Sequence, residues 1–65
     1  MKINQKDVVS IELLTIKETA EILSLSIKTI RNLIFYKELA AYKIGHSIRI
    51  KKSDILKLLD RKKIN

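Results

Sequence analysis

The stretch TIKETAEILSLSIKTIRNLIFY, residues 15–36, decides the fold. It holds two segments with helical periodicity, Ile16–Leu23 and Ile27–Tyr36, and only three residues separate them. Thr15 and Glu18 have the spacing of a capping box, which marks where the first helix begins. Two short helices joined by so tight a turn, the second of them polar on its outer side, predict a helix-turn-helix.

Each of the two helices has one apolar face. In the first helix Ile16, Ala20 and Leu23 recur at helical spacing, and the small Ala20 suits a close helix crossing. Ser26 is a good N-cap for the second helix. The apolar side of the second helix consists of Ile27, Ile30, Leu33 and Ile34. The residues that face away from this side are Lys28, Thr29, Asn32 and Tyr36, and Arg31 and Phe35 lie on the flank.

After the second helix the pattern changes from helical to alternating. Residues 41–44 and 48–51 alternate in the manner of strands, and Gly45-His46-Ser47 lies between them, which predicts a β-hairpin. Ser53-Asp54 then caps a last helix, which is expected to run from about Asp54 to Arg61. The predicted element order is therefore helix, turn, helix, hairpin, helix.

The register of the hairpin follows from the apolar residues of its strands. Burying all of them on one face requires Ile44 opposite Ile48, which leaves a three-residue loop. In this register Lys43 lies opposite Arg49, and two like charges facing each other cost stability unless an anion lies nearby. A two-residue loop mixes Ile and Lys on both faces, so the three-residue loop is the prediction.

Length and composition exclude most classes of site. The 65 residues allow one small domain with a marginal core. The chain has no Cys, one Gly and one His, which excludes disulfides, zinc sites with Cys, multi-histidine metal sites and Gly-rich phosphate loops. No apolar run is long enough to cross a membrane, and no leader peptide is evident. We therefore expect no catalytic residue, metal, cofactor, small-molecule ligand or membrane contact.

Charge is divided unevenly along the chain. The net charge is +7, but residues 1–26 carry a net −1 and residues 27–65 a net +8. A polyanion is the natural partner for such a distribution, because each phosphate contact releases condensed counterions. On charge alone, a soluble lysine-rich surface explains the pattern equally well.

Three parts of the sequence carry a family resemblance: residues 14–30, Tyr42-Lys43-Ile44-Gly45-His46-Ser47-Ile48-Arg49-Ile50, and Ser53-Asp54-Ile55. They resemble excisionase-type winged helix-turn-helix domains, which are relatives of the MerR DNA-binding domain. The resemblance implies a mainly α fold with a small β-hairpin: a helix-turn-helix, a two-stranded wing and a closing helix. It divides the chain into an N-terminal arm (residues 1–13) with a short extended segment around Val8–Leu13, the DNA-binding domain (14–61) and a basic tail (62–65).

One departure from the family bears on the second helix. Ser24 and Lys37 stand where such domains usually have Gly. A lysine is disfavoured in the left-handed conformation that ends many helices. We therefore expect the second helix to run past Tyr36 before the chain turns.

The resemblance and the helical wheel assign the DNA contacts, with the second helix in the major groove. The candidates for reading bases are Lys28, Thr29 and Asn32. The candidates for gripping the backbone are Ser26, Arg31, Tyr36, Lys43 and Lys51. The wing candidates for the minor groove are His46, Ser47 and Arg49. Asn32 suits adenine and Lys28 suits guanine, and Arg49 suits a narrow, electronegative groove. His46 lies alone at a loop tip, so a catalytic role is not expected.

The predicted function is sequence-specific binding of double-stranded DNA without catalysis. We expect an excisionase-like recombination directionality factor that binds repeated sites as side-by-side copies and acts with an integrase or other recombinase. We favour this role because the chain shows nothing beyond the DNA-binding domain. The resemblance also implies a cytoplasmic, bacterial or phage-encoded protein of a mobile element, associated with the nucleoid when bound. The alternatives are a small transcription regulator and, from another class, a protein-interaction module or inhibitor with a basic face.

Overall fold

The computed structural model describes residues 12–65, which form three helices and a small antiparallel sheet. The elements are β1 (Leu13–Leu14), α1 (Ile16–Leu23), α2 (Ile27–Phe35), β2 (Tyr42–Ile44), β3 (Ser47–Lys51) and α3 (Lys52–Arg61). The predicted mainly helical, winged helix-turn-helix fold is confirmed. The predicted arm and its extended segment lie outside the described residues, apart from Glu12 and Leu13.

Helix α1 begins with the predicted capping box. The Glu18 amide donates to the Thr15 hydroxyl over 3.0 Å, and the Thr15 amide donates to the Glu18 carboxylate over 2.9 Å. The hydrogen bond from the Thr15 amide, and then the Thr15 side chain, lower the pKa of the Glu18 carboxyl from its ordinary value of 4.5, and the Arg49 guanidinium lowers it a little further. Since the folded pKa is the lower one, the cap stabilises the fold at neutral pH, and this contribution is lost as the pH falls through the lowered value.

Both helices of the helix-turn-helix end in the same way. Ser24 and Lys37 have φ angles of 54° and 63°, and the residue after each donates to the carbonyl five residues earlier: Leu25 to Ala20 and Glu38 to Leu33. This arrangement is a Schellman motif. The expectation that Lys37 prolongs α2 is wrong, because the two hydrogen bonds of the motif and the burial of Leu39 that follows outweigh the unfavourable conformation of the lysine.

We predict that Lys37→Gly stabilises the domain by about 1 kcal/mol, because glycine adopts a φ of 63° without the steric cost that a side chain carries there. Urea unfolding monitored by circular dichroism measures the change. The matched control is Lys57→Gly, an exposed lysine inside α3, which should lose about 1 kcal/mol. A loss of stability in both variants contradicts the prediction.

The sheet has the strand order β1-β3-β2, so the wing carries a third strand that the two-stranded prediction lacked. Leu14 pairs with Ile50 in β3. On the other side of β3, Lys43 pairs with Ile48 and Tyr42 pairs with Arg49. The predicted three-residue loop and the facing of Lys43 with Arg49 are therefore wrong, and the loop consists of two residues.

The position of the single glycine explains the shorter loop. Gly45 has a φ of 63° and is the first residue of the two-residue turn, the place where a type II′ hairpin requires glycine. A three-residue loop needs its left-handed residue at the third position, which is Ser47. Little apolar burial in the hairpin depends on its register, because every residue of β2 is exposed and only Ile50 of β3 is buried.

Helix α3 begins earlier than predicted, at Lys52, and Ser53 is not its N-cap. The residue at the cap position is Lys51, which makes no side-chain capping bond. Instead the Lys52 amide donates to the Glu12 carbonyl over 3.0 Å, and the side chains of these residues form an ion pair at 3.4 Å. A backbone carbonyl just before β1 thus satisfies one of the amides that the first turn of a helix leaves without an intrahelical partner.

The core contains residues from all three helices, from β3 and from the segment that follows α2. Its buried hydrophobic residues are Ala20, Ile30, Leu39, Ile50, Ile55 and Leu58. Thr19 is also fully buried, and its hydroxyl donates to the Thr15 carbonyl over 2.8 Å, so no polar group is left unsatisfied there. Because α1, α2, β3 and α3 all contribute to this core, α2 and the wing hold fixed positions relative to each other.

Candidate nucleic-acid interface

Helix α2 presents a continuous exposed face. Lys28, Arg31, Asn32 and Phe35 follow one another at intervals of three, one and three residues, so they lie on one side of the helix. All four are exposed, whereas Ile30 on the opposite side is completely buried. This face therefore combines two cations, one amide and one aromatic ring, none of which the core requires.

The N-terminus of α2 is held by Ser26. Its hydroxyl accepts from the Thr29 amide over 3.0 Å and lies 2.9 Å from the Thr29 hydroxyl. Thr29 is half-buried and engaged with Ser26, so of the three predicted base readers only Lys28 and Asn32 are exposed. Ser26 is exposed and lies at the end of the helix where amides favour an anion, the position expected of a backbone contact.

A shallow apolar cleft separates α2 from the wing. Ile16, Ile34, Phe35 and Ile48 line it, and Arg31 contributes the cationic side chain. Arg31 thus lies between the helix and the hairpin.

The wing places its polar residues differently from the prediction. His46 and Ser47 are exposed at the hairpin tip. In the observed register Lys43 lies on the same face as Ile48, whereas Arg49 lies on the opposite face with Tyr42. Ile48 is the residue of the wing that lines the cleft, and Lys43 pairs with it across the hairpin.

Arg49 is the most constrained of the predicted wing contacts. It is half-buried, its guanidinium donates to the Ile48 carbonyl over 2.9 Å, and it lies close enough to Glu18 to lower the pKa of that carboxyl. Reaching a minor groove therefore requires the side chain to leave these partners.

Lys51 and Tyr36, two further backbone candidates, each contact an aromatic ring. The Lys51 ammonium lies 5.4 Å from the centre of the Tyr42 ring, a cation–π distance, and the Tyr42 hydroxyl donates to Asp54 over 3.4 Å. Tyr36 is exposed at the end of α2 and meets Phe35 edge to face, with ring centres 5.1 Å apart. Lys51 is thus turned toward β2, and Tyr36 extends the exposed face of α2.

The C-terminal end of α3 is attached to the segment that follows α2. The Arg61 guanidinium donates to the Glu38 carbonyl, and the Lys62 ammonium pairs with the Glu38 carboxylate. Lys62, assigned to the tail by the prediction, therefore belongs structurally to the domain. These contacts stabilise the turn after α2 and so fix where the exposed face of that helix ends.

The sequence pattern of the helix-turn-helix domain family matches residues 13–63. The chain belongs to the helix-turn-helix domain family. The match covers every helix and strand of the described fold, from β1 to the end of α3. Neither the curated proteins nor the solved structures contain a match to this chain.

Family membership bears on the function of the domain as a whole. A helix-turn-helix domain binds double-stranded DNA sequence-specifically, with its second helix as the reading element. Within residues 12–65, no helix is long and apolar enough to cross a membrane. The same part of the chain contains no group of three or more His, Asp or Glu side chains placed to hold a metal ion.

The reading helix of this helix-turn-helix domain carries one residue that sequence analysis left out. The helical wheel placed Phe35 on the flank of the helix, and it was not counted among the DNA contacts. In the structure its ring is 75% exposed and shares the face of Lys28 and Asn32. The sequence did contain a signal for this position, since a spacing of seven residues from Lys28 places Phe35 on the same side of the helix.

Proposed function

We propose that this DNA-binding domain acts as an excisionase-like recombination directionality factor. It binds attachment-site DNA, shapes it, and so favours excision by an integrase, without catalysing a reaction itself. The observation that carries the proposal is the pairing of an exposed reading face on α2 with a hairpin wing across the cleft that contains Arg31. This arrangement accommodates a reading helix in the major groove and a wing over the adjacent backbone.

The element order supports the same proposal. Helix, turn, helix, hairpin and closing helix is the order expected for excisionase-type domains related to MerR, and the observed α1, α2, β2, β3 and α3 follow it. In this docking Lys28 and Asn32 contact bases, while Ser26, Arg31, Tyr36 and Lys43 contact phosphates. His46 and Ser47 lie at the wing tip, where they would approach the minor groove.

A single small reading unit limits both affinity and specificity. With about 6–9 phosphate contacts, we expect affinity to fall roughly a thousandfold or more between about 50 and 200 mM salt. Copies bound side by side on repeated sites would add specificity, and bending between them would shape the attachment site. The protein would thus act in the bacterial cytoplasm, bound to DNA.

Selection from a random DNA library gives the preferred site, and excision is then measured with the recombinase of the same mobile element. The expected result is excision product only when the protein is present, together with bent DNA in a circular-permutation assay. Unchanged excision combined with repression of a promoter carrying the selected site favours a small transcription regulator. Loss of all sequence preference at about 150 mM salt contradicts DNA recognition and favours a basic protein-interaction module.

A further inference from the structure

Phe35 is far more exposed than its size warrants. Its side chain is 75% exposed, and among the large hydrophobic residues of the described chain only Ile64, beside the C-terminus, exceeds it at 97%. Burying a phenylalanine contributes about 1.5–3 kcal/mol to stability, and the exposed Phe35 provides little of this free energy. The fold therefore does not explain why a large aromatic residue stands here.

The position of Phe35 on α2 connects it to the base readers. It lies seven residues after Lys28 and three after Asn32, so all three side chains project from the same side of the helix. Seven residues correspond to about 10.5 Å along the helix axis. At about 3.4 Å per base pair, this distance equals about three base-pair steps.

The ring also has an aromatic neighbour on the same helix end. Tyr36 packs edge to face against it, with the ring planes at 86° and the centres 5.1 Å apart. The Schellman motif at Lys37 fixes the backbone immediately after the two aromatic residues. A side chain ordered in this way loses little conformational entropy when it forms a contact.

The chemistry of the major groove identifies what the ring contacts. Among the base edges exposed there, the C5-methyl group of thymine is the apolar feature, and phenylalanine is one of the residues that contact it. We propose that Phe35 is a specificity-determining residue that recognises a thymine methyl about three base pairs from the base read by Lys28. The inference rests on the proposed docking of α2 in the major groove and not on the excisionase role.

The test replaces single thymines of the selected site by deoxyuridine, which removes the methyl group and leaves the hydrogen-bonding edge unchanged. For the wild-type protein, one such replacement should weaken binding about fourfold, which corresponds to ~0.8 kcal/mol for one buried methyl. Phe35→Ala should bind both DNAs alike, at the affinity of the wild type for the deoxyuridine site. Phe35→Leu should retain part of the preference, because it retains an apolar contact.

The exposure of Phe35 makes these variants informative, since thermal unfolding of Phe35→Ala should match that of the wild type. A methyl effect of equal size in the wild type and in Phe35→Ala overturns the inference. The inference is also overturned if the wild type binds DNA selectively but shows no methyl effect. That outcome assigns the ring to a contact with a protein. If the wild type shows no sequence preference at all, the docking of α2 and this inference fail together.

Discussion

An Ile30→Ala variant should lose about 2–5 kcal/mol of folding free energy. Ile30 is completely buried in α2, and its side chain belongs to the cluster that unites both helices of the helix-turn-helix with β3 and α3. A domain of 65 residues has roughly 3–10 kcal/mol of stability in total. Removing three carbon atoms from this position therefore takes away a large fraction of the total folding free energy.

Urea unfolding measures the loss as a lower midpoint with an unchanged dependence on denaturant. The matched control is Ile22→Ala, the same truncation at a side chain of α1 that is 60% exposed, and it should change stability by no more than about 0.5 kcal/mol. DNA binding by Ile30→Ala should fall only in proportion to its unfolded fraction. Equal losses in the two variants contradict the assignment of Ile30 to the centre of the core.

The helix-turn-helix could be predicted from sequence because its signals are local. Thr15 and Glu18 are three residues apart, and the capping box they form needs nothing else from the chain. The same holds for Ser26 and Thr29 at the start of α2. Periodicity then places Ala20 and Ile30 in the core, where the structure has them. Hydrogen bonds closed within four residues do not depend on the remainder of the fold.

The hairpin register and the start of α3 could not be obtained in this way. Apolar alternation was a poor guide to the register because the hairpin is largely exposed, so the conformation of Gly45 decided it. The start of α3 depends on the Glu12 carbonyl, forty residues earlier in the chain, which accepts from the Lys52 amide. A side-chain cap at Ser53 was therefore unnecessary, and nothing near Ser53 indicates this.

For the interface, sequence indicates the chemical type of a side chain but not whether it is free. Lys28 and Asn32 are exposed as predicted, whereas Thr29 is engaged by Ser26 and Arg49 by the Ile48 carbonyl. These contacts depend on rotamers and on the hairpin register, which composition does not reveal. Phe35 is the converse case, since the helical wheel placed it on the flank and left it out of the DNA contacts, whereas the structure leaves it 75% exposed.

Asn32→Ala should weaken binding to the preferred site by about 1–3 kcal/mol, or about 5–150-fold, and relax selectivity at one base pair. Asn32 is exposed on the face of Lys28, and its amide can donate to and accept from adenine at the same time. Competition binding against a set of sites that differ at single base pairs measures both effects. The control is Asn65→Ala, an exposed asparagine at the C-terminus, which should leave every affinity unchanged.

Comparing Arg49→Ala with Asn32→Ala distinguishes the loss of a phosphate contact from the loss of a base contact. If Arg49 leaves the Ile48 carbonyl to contact DNA, its removal should weaken all sequences alike and reduce the salt slope by about 1. The loss should be small, because the guanidinium must first give up a hydrogen bond and the attraction of Glu18. Asn32→Ala should show the opposite pattern, an unchanged salt slope with altered selectivity. An Asn32→Ala protein that binds every sequence as the wild type does is incompatible with α2 as the base-reading helix.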